Sequence, residues 1–266
     1  MAGASKAASK RTKASASSFA LEADLCAAFV AAIPNTWTAY AETGGWDILL
    51  VRKEDGFQIG VQAKLRLNAY VFAQAIEDGA PWSVASPGPD CRAVLVPYGE
   101  GGWWHGIAGY IGITIIMMRI NAPRSSLFVP PLPAARDSYP GDERQWHECC
   151  PARRHDLPDY IPDVVPGRPS PLQLTTWKIA AIKIAITAEK RGFVTRADFK
   201  HHGIDYRRWI SPGSEWLERV EGGWALSKKF PPFKTQHPKS YQDIARDWEK
   251  WKRPDTVGGL FDGVAA

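Results

Sequence analysis

The feature that most restricts this chain is a pair of apolar runs, WDILLV (Trp46 to Val51) and FQIGVQAKL (Phe57 to Leu65), joined by the polar turn KEDG (Lys53 to Gly56). Two runs rich in Ile, Val and Leu around a Gly-ended turn read as a buried β-hairpin. Such a hairpin needs cover, and the flanking sequence supplies it. From Phe19 to Ile33 the apolar positions Phe19, Leu21, Leu25, Phe29 and Ile33 recur near helical spacing until Pro34 stops the pattern. After the hairpin, Asn68 to Asp78 places Tyr70, Phe72, Ala73 and Ile76 for a second helix, ended by Gly79 and Pro81. Cys91 to Gly99 reads as another buried strand, and Tyr110 to Met118 as a further strand beyond a loop rich in Gly and Trp. Helix, hairpin, helix, strand is the order of a mixed α/β sheet with helices on its faces.

Three polar residues interrupt the apolar character of the hairpin's open end. Asp47 opens the first strand, and Gln62 and Lys64 lie near the end of the second, where a packed core would prefer Val or Ile. Across the turn Asp47 and Gln62 come side by side, and the period of two in a strand sends Gln62 and Lys64 to one face. A carboxylate, an amide oxygen and an ammonium thus converge from adjacent strands. Phosphodiester hydrolysis asks for such a set: a divalent cation to neutralise developing charge, oxygen ligands for hard Mg²⁺, and a group that orients water. The competing explanation has Asp47 capping a strand and Lys64 snorkelling from its end.

With these residues in place, the segment from about Phe19 to Gly99 resembles the PD-(D/E)xK nuclease superfamily, over a third of the chain. The resemblance implies a restriction-endonuclease-like core and Mg²⁺-dependent DNA cleavage, with Mn²⁺ as a possible substitute. Asp47 matches the metal-binding Asp, Gln62 and Lys64 match the xK pair, and Glu22 matches the acid that many members carry on the preceding helix. Two departures stand out. Gln62 replaces the usual Asp or Glu, as in virus-type replication-repair nucleases and the end-cleaving A subunit of Tn7-like transposition systems, and Trp46 occupies the place of the motif proline. A neutral ligand lowers the expected metal affinity and raises the weight on Glu22.

The remainder divides by composition. Residues 1–17, with Lys6, Lys10, Arg11 and Lys13 and no acid, read as a disordered basic tail. The nuclease-like core spans 18–120, a Pro- and Arg-rich linker or insertion spans 121–171, and 254–266 is a second flexible tail. Residues 172–253 carry a strong helix from Leu172 to Lys190 closed by Gly192, a capping-box start at Thr195 and Asp198, a third helix capped by Asp205, and a tight turn EGGW (Glu221 to Trp224). Three helices followed by a Gly-Gly ribbon match a winged helix, and the same periodicity admits a generic helical bundle. The chain's net charge is +5. Most of the surplus sits in this last region, at a net of roughly +8. A winged helix would set Arg207 and Arg208 against DNA and Lys228 and Lys229 beside its phosphates.

Three functional classes follow: a DNA endonuclease, a catalytically silent DNA-binding protein on the same fold, and a nuclease active only with a docked protein partner or as a homodimer. The absence of a phosphate-cradling loop disfavours an ATPase. His147, Cys149, Cys150 and His155 lack the CxxC spacing of a zinc site, and the four cysteines form no disulfide framework, which suits a reducing cytoplasm. No apolar run reaches the roughly 18 residues of a membrane helix.

Overall fold

The computed structural model describes residues 19–77, 86–135, 145–164, 166–167 and 174–254. The tails at 1–17 and 255–266, the helix-ending residues Gly79 and Pro81, and Leu172 at the expected start of the long helix lie outside the described residues.

The first half is a six-stranded mixed sheet in simple sequence order. Its elements are α1 (Glu22–Ala32), β1 (Trp37–Thr43), β2 (Trp46–Arg52), β3 (Gln58–Ala63), α2 (Ala69–Glu77), β4 (Cys91–Pro97), α3 (Trp104–Tyr110), β5 (Ile113–Met118) and the short edge strand β6 (Phe128–Val129). β1, β2 and β3 are antiparallel, β3, β4 and β5 run parallel, and β6 returns antiparallel. The parallel crossovers pass through α2 and α3, as parallel pairing requires.

Each strand is sorted by its period of two. Ile48, Leu50, Ile59, Val61, Ala63, Cys91, Ala93 and Leu95 face the α1 layer with Leu25, Cys26 and Phe29. Leu49, Val51, Val94, Val96, Ile113 and Ile115 face Val71, Phe72 and Ala75 of α2 and Ala108 of α3. Burying a residue such as Phe29, which is wholly inaccessible, contributes about 1.5–3 kcal/mol.

Two elements differ from the sequence expectation. Residues 37–43, expected to be a short connector, form β1, so the Asp47 strand is an inner strand and not a hairpin edge. The half-buried run WTAYAET gives little apolar signal because an edge strand packs only partly. The stretch expected as loop and then strand from Tyr110 is α3 followed by a strand starting at Ile113. Gly106 and Gly109 lower the helical propensity of α3, and its packing on β5 overrides them.

The Pro-rich segment after residue 120 contributes to the core as well as linking. Leu132 and Trp146 join the α1-side cluster, and the buried Arg52 guanidinium donates to Asp55 and to the carbonyls of Pro133 and Ala134. That guanidinium holds the Asp55 carboxyl down at about 2.

The second half comprises α4 (Thr176–Arg191), α5 (Arg196–His201), α6 (Arg207–Ile210), the hairpin β7 (Leu217–Val220) with β8 (Gly223–Leu226), then α7 (Phe233–Gln236), α8 (Pro238–Arg246) and α9 (Trp248–Trp251). Its termini follow the sequence signals. Thr175 caps α4, left-handed Gly192 ends it, and the Thr195–Asp198 capping box starts α5. Asp205 Oδ1 accepts from the Arg207 amide at 3.0 Å, yet α6 is a single turn. The core here is aromatic: Trp209, Phe199, Trp224, Phe233 and Trp251 are buried around Ile182 and Ile184 of α4. Among the described residues no helix is long and apolar enough to cross a membrane.

Asp163 contacts the second half and Gly167 the first. The Asp163 carboxylate pairs with His237 Nδ1 at 3.2 Å and accepts from the amides of Lys239 and Ser240, while the Gly167 amide donates to Glu42 Oε1 at 2.9 Å.

Candidate active site

The ladder between β2 and β3 runs from Val51↔Gln58 to Ile48↔Val61 and stops. Beyond it the strands part, and the groups expected to carry chemistry fill the fork. Just past β3 the amide of Lys64 donates to Leu95 of β4, so the preceding amide, Ala63, points the other way, toward β2. No ladder carbonyl meets it there. The Asp47 carboxylate does, with Oδ2 accepting from Ala63 N at 2.7 Å. Gln62 closes the other side, its Nε2 donating to the Gly45 carbonyl at 2.9 Å. Lys64, the first residue past β3, donates from Nζ to Glu22 Oε2 at 3.0 Å at the start of α1.

Trp46, beside Asp47, explains why the fork has this shape. Its indole is buried on the α2 side of the sheet, against the α-carbon of Gly60, where any Cβ would lie 2.3 Å from the ring. Only glycine at position 60 admits it. The indole Nε1 donates to His155 Nε2 at 3.3 Å, and the His155 ring covers Gly44 in the β1–β2 turn. Gln58 holds the His155 backbone through both amide ends, at 2.9 and 3.0 Å. Trp46 is thus a wedge that fixes the turn next to Asp47.

Electrostatically the fork is an uncomfortable place for a carboxylate. Burial raises the Asp47 pKa and the Glu22 carboxylate raises it further, against the Ala63 amide and the Lys64 ammonium, which lower it. The buried thiol of Cys26 on α1 is also pushed up, by burial first and then by Asp47, Glu22 and Glu42. Three carboxylates therefore share one neighbourhood. Glu42 is the member that sequence reasoning missed. It lies in the unexpected strand β1, and its φ of +49° is a left-handed conformation rare for a side-chain-bearing residue. No residue pattern announced it.

The donor chemistry suits a hard divalent cation: two carboxylates, one of them desolvated, and an amide. With Nε2 committed to Gly45, Gln62 keeps Oε1 as its metal-competent atom, and among the described residues no donor meets it. Among the described residues no three His, Cys, Asp or Glu side chains form a group able to hold a metal. The Gln62 amide is held by Gly45, and among the described residues no contact joins it to Asp47 or Glu22.

The histidine–cysteine cluster does not assemble. His155 is engaged with Trp46, Cys149 and Cys150 are exposed, and Cys149 is tied by its amide to the Asp90 carbonyl.

In the second half Arg207 pairs with Asp205, and Lys229 pairs with Glu215, while Arg208 and Lys228 are exposed. All four share one region, because backbone hydrogen bonds run from Trp216 to Trp209 and from Ser227 to Trp216. Many other cations of this half are paired too, among them Arg191 and Arg253 on Asp198 and Lys234 on Glu189.

The chain matches no protein-family model, no curated protein and no solved structure.

Proposed function

We propose that this chain is a divalent-metal-dependent nuclease of the PD-(D/E)xK type acting on DNA. The observation that carries the reading is the fork: Asp47, Gln62, Lys64 and Glu22 come from three elements, in an otherwise apolar sheet, to the point where two strands separate. A purely structural role for Asp47 sits poorly with its environment, since a carboxylate in that place is desolvated and beside a second acid.

In this reading Asp47, Gln62 and Glu22 hold Mg²⁺ or Mn²⁺, and the ion supplies charge neutralisation at the scissile phosphate. Lys64 orients water or steadies the developing charge, positioned meanwhile by Glu22. The Ala63 amide fixes the Asp47 carboxylate plane, and Trp46 holds the turn that leads into it. The second half, with its helices followed by a ribbon in winged-helix order, docks on duplex DNA through Arg208 and Lys228, with Arg207 and Lys229 beside them.

Cleavage of supercoiled plasmid with Mg²⁺ or Mn²⁺ tests the reading. Lys64→Ala and Asp47→Ala should each reduce cleavage by at least about a hundredfold, the scale of losing a group that stabilises the transition state. Wild-type-like cleavage by either variant sinks it. A partner-dependent nuclease is the second reading, favoured by the many ion pairs that absorb positive charge in the DNA-docking half; it predicts cleavage only after a partner is added.

A further inference from the structure

Three rings in the first half stack in a ladder that ends in solvent. Phe72 of α2 lies under Trp104 at 5.2 Å, Trp104 lies under Trp103 at 4.1 Å with planes 22° apart, and the outer Trp103 is 69% exposed. Phe72 is buried, so the ladder is anchored in the core and presents one flat, prearranged face outward. An exposed Trp in an ordinary loop would fold down onto its neighbours. This one is already stacked below and has no ring above it among the described residues.

The ladder's position gives that face a use. β3, β4 and β5 run parallel, and β2 runs against them, so one edge of the sheet gathers the fork at Asp47 and Lys64, the start of α2, the 98–103 loop that follows β4, and residues 119–126 that follow β5. Ligands of open α/β sheets bind at this carboxyl edge. Arg66 and Arg124 are exposed there, Arg119 lies over the ring of Tyr98 at 4.1 Å, and Tyr98 and Tyr70 are themselves exposed. Glu100 is the acid of the 98–103 loop. Cations interleaved with aromatic faces fit a phosphate backbone with free bases.

The loop itself favours a flat ligand. Gly99 and Gly102 have positive φ, and a Cβ at either would meet nothing within 4 Å. No side chain at these positions builds the knobs and holes of a protein interface, and the Trp103 face is left open.

We infer that Trp103 is a stacking platform for an unpaired nucleobase, and that the protein engages single-stranded nucleic acid along the edge that holds Asp47 and Lys64. The inference rests on the nuclease reading for what happens after binding, and not for the binding itself. A base stacks on the outer face of Trp103 while Arg66, Arg119 and Arg124 meet phosphates on either side.

The test is fluorescence anisotropy of the full chain with a labelled oligothymidylate and with a duplex of equal length, in EDTA so that no cleavage intervenes. Trp103→Ala should weaken single-strand binding by about ten- to a hundredfold, the scale of losing one base-aromatic stack, and Trp103→Phe should recover part of it. Duplex binding should be unchanged by either. Equal single-strand affinity for wild type and Trp103→Ala overturns the inference, as does equal weakening on both probes. A concentration-dependent oligomer abolished by Trp103→Ala in sedimentation also overturns it, assigning the platform to protein contact. Trp103-dependent binding with no metal-dependent cleavage would sink the nuclease reading alone. Cleavage that needs Lys64, with binding indifferent to Trp103, would sink the stacking inference alone.

Discussion

The two halves differ in how far their cores depend on aromatic rings. In the helical half Trp209 is 1% exposed and makes edge and tilted contacts with Phe199, Trp216 and Phe230, so the rings are the core. In the sheet half aliphatic strands make most of the core, with Trp37, Trp46 and Trp146 buried beside them, while Trp103 faces solvent. A sheet fills its interior with β-branched residues in alternating rows, whereas short helices such as α5 and α6 bury too little aliphatic surface to pack without large rings. Aromatic content alone therefore does not distinguish scaffold from surface; the layer beneath each ring does.

The largest expected effect separates these roles. Trp209→Ala should destabilise the chain by about 3–5 kcal/mol, the cost of emptying a packed aromatic site. Trp103→Ala should stay within about 0.5 kcal/mol, as for a surface change. Urea unfolding followed by circular dichroism measures both, and comparable losses would erase the contrast.

Added volume should matter where removed volume does in the other half. Gly60→Ala puts a methyl into the Trp46 ring and should cost about 1–3 kcal/mol. Because the wedge abuts Asp47, cleavage should fall more than stability does. Unchanged unfolding of Gly60→Ala would mean that the indole moves aside easily.

The cations sharpen the comparison further. Arg208→Ala with Lys228→Ala should weaken duplex binding by about 1–3 kcal/mol and flatten its salt dependence. Arg207→Ala with Lys229→Ala should do less, because Asp205 and Glu215 already neutralise those two. Anisotropy across a salt series decides, and the reverse ranking would place the docking surface elsewhere.

The smallest effect is a difference in sign between two carboxylates. Asp163 is partly desolvated, yet the His237 ring and the amides of Ser240 and Lys239 bring its pKa down to about 2. Its stabilisation is present above the ordinary carboxylate range and is lost as pH falls toward that value. The Asp47 pKa is raised, so its ionisation lowers stability as pH climbs above the ordinary carboxylate range. At neutral pH Asp163→Asn should destabilise, and Asp47→Asn should hold or gain stability while losing cleavage. Unfolding midpoints measured from acid to neutral pH test the opposition, and parallel pH profiles for the two variants would contradict it.

By itself the sequence determined the elements whose periodicity is strong. The apolar runs at 46–51 and 57–65, the strand beginning at Cys91, the long helix before Gly192 and the Thr195–Asp198 box are local, because hydrophobic spacing and capping residues act within a turn or a strand. The polar interruptions Asp47, Gln62 and Lys64 were legible for the same reason, as misfits in a pattern. What the tertiary structure decided was everything set by a partner distant in sequence. β1 became a strand only because β2 offered it an edge, and α3 formed over its glycines because β5 lay beneath. Glu42 came near the Cys26 thiol through a strand with almost no pattern of its own. The His155 ring met Trp46 from 109 residues away. Trp103 and Trp209 are indistinguishable in a list of residues, and only the packing beneath them made one a surface and the other a core.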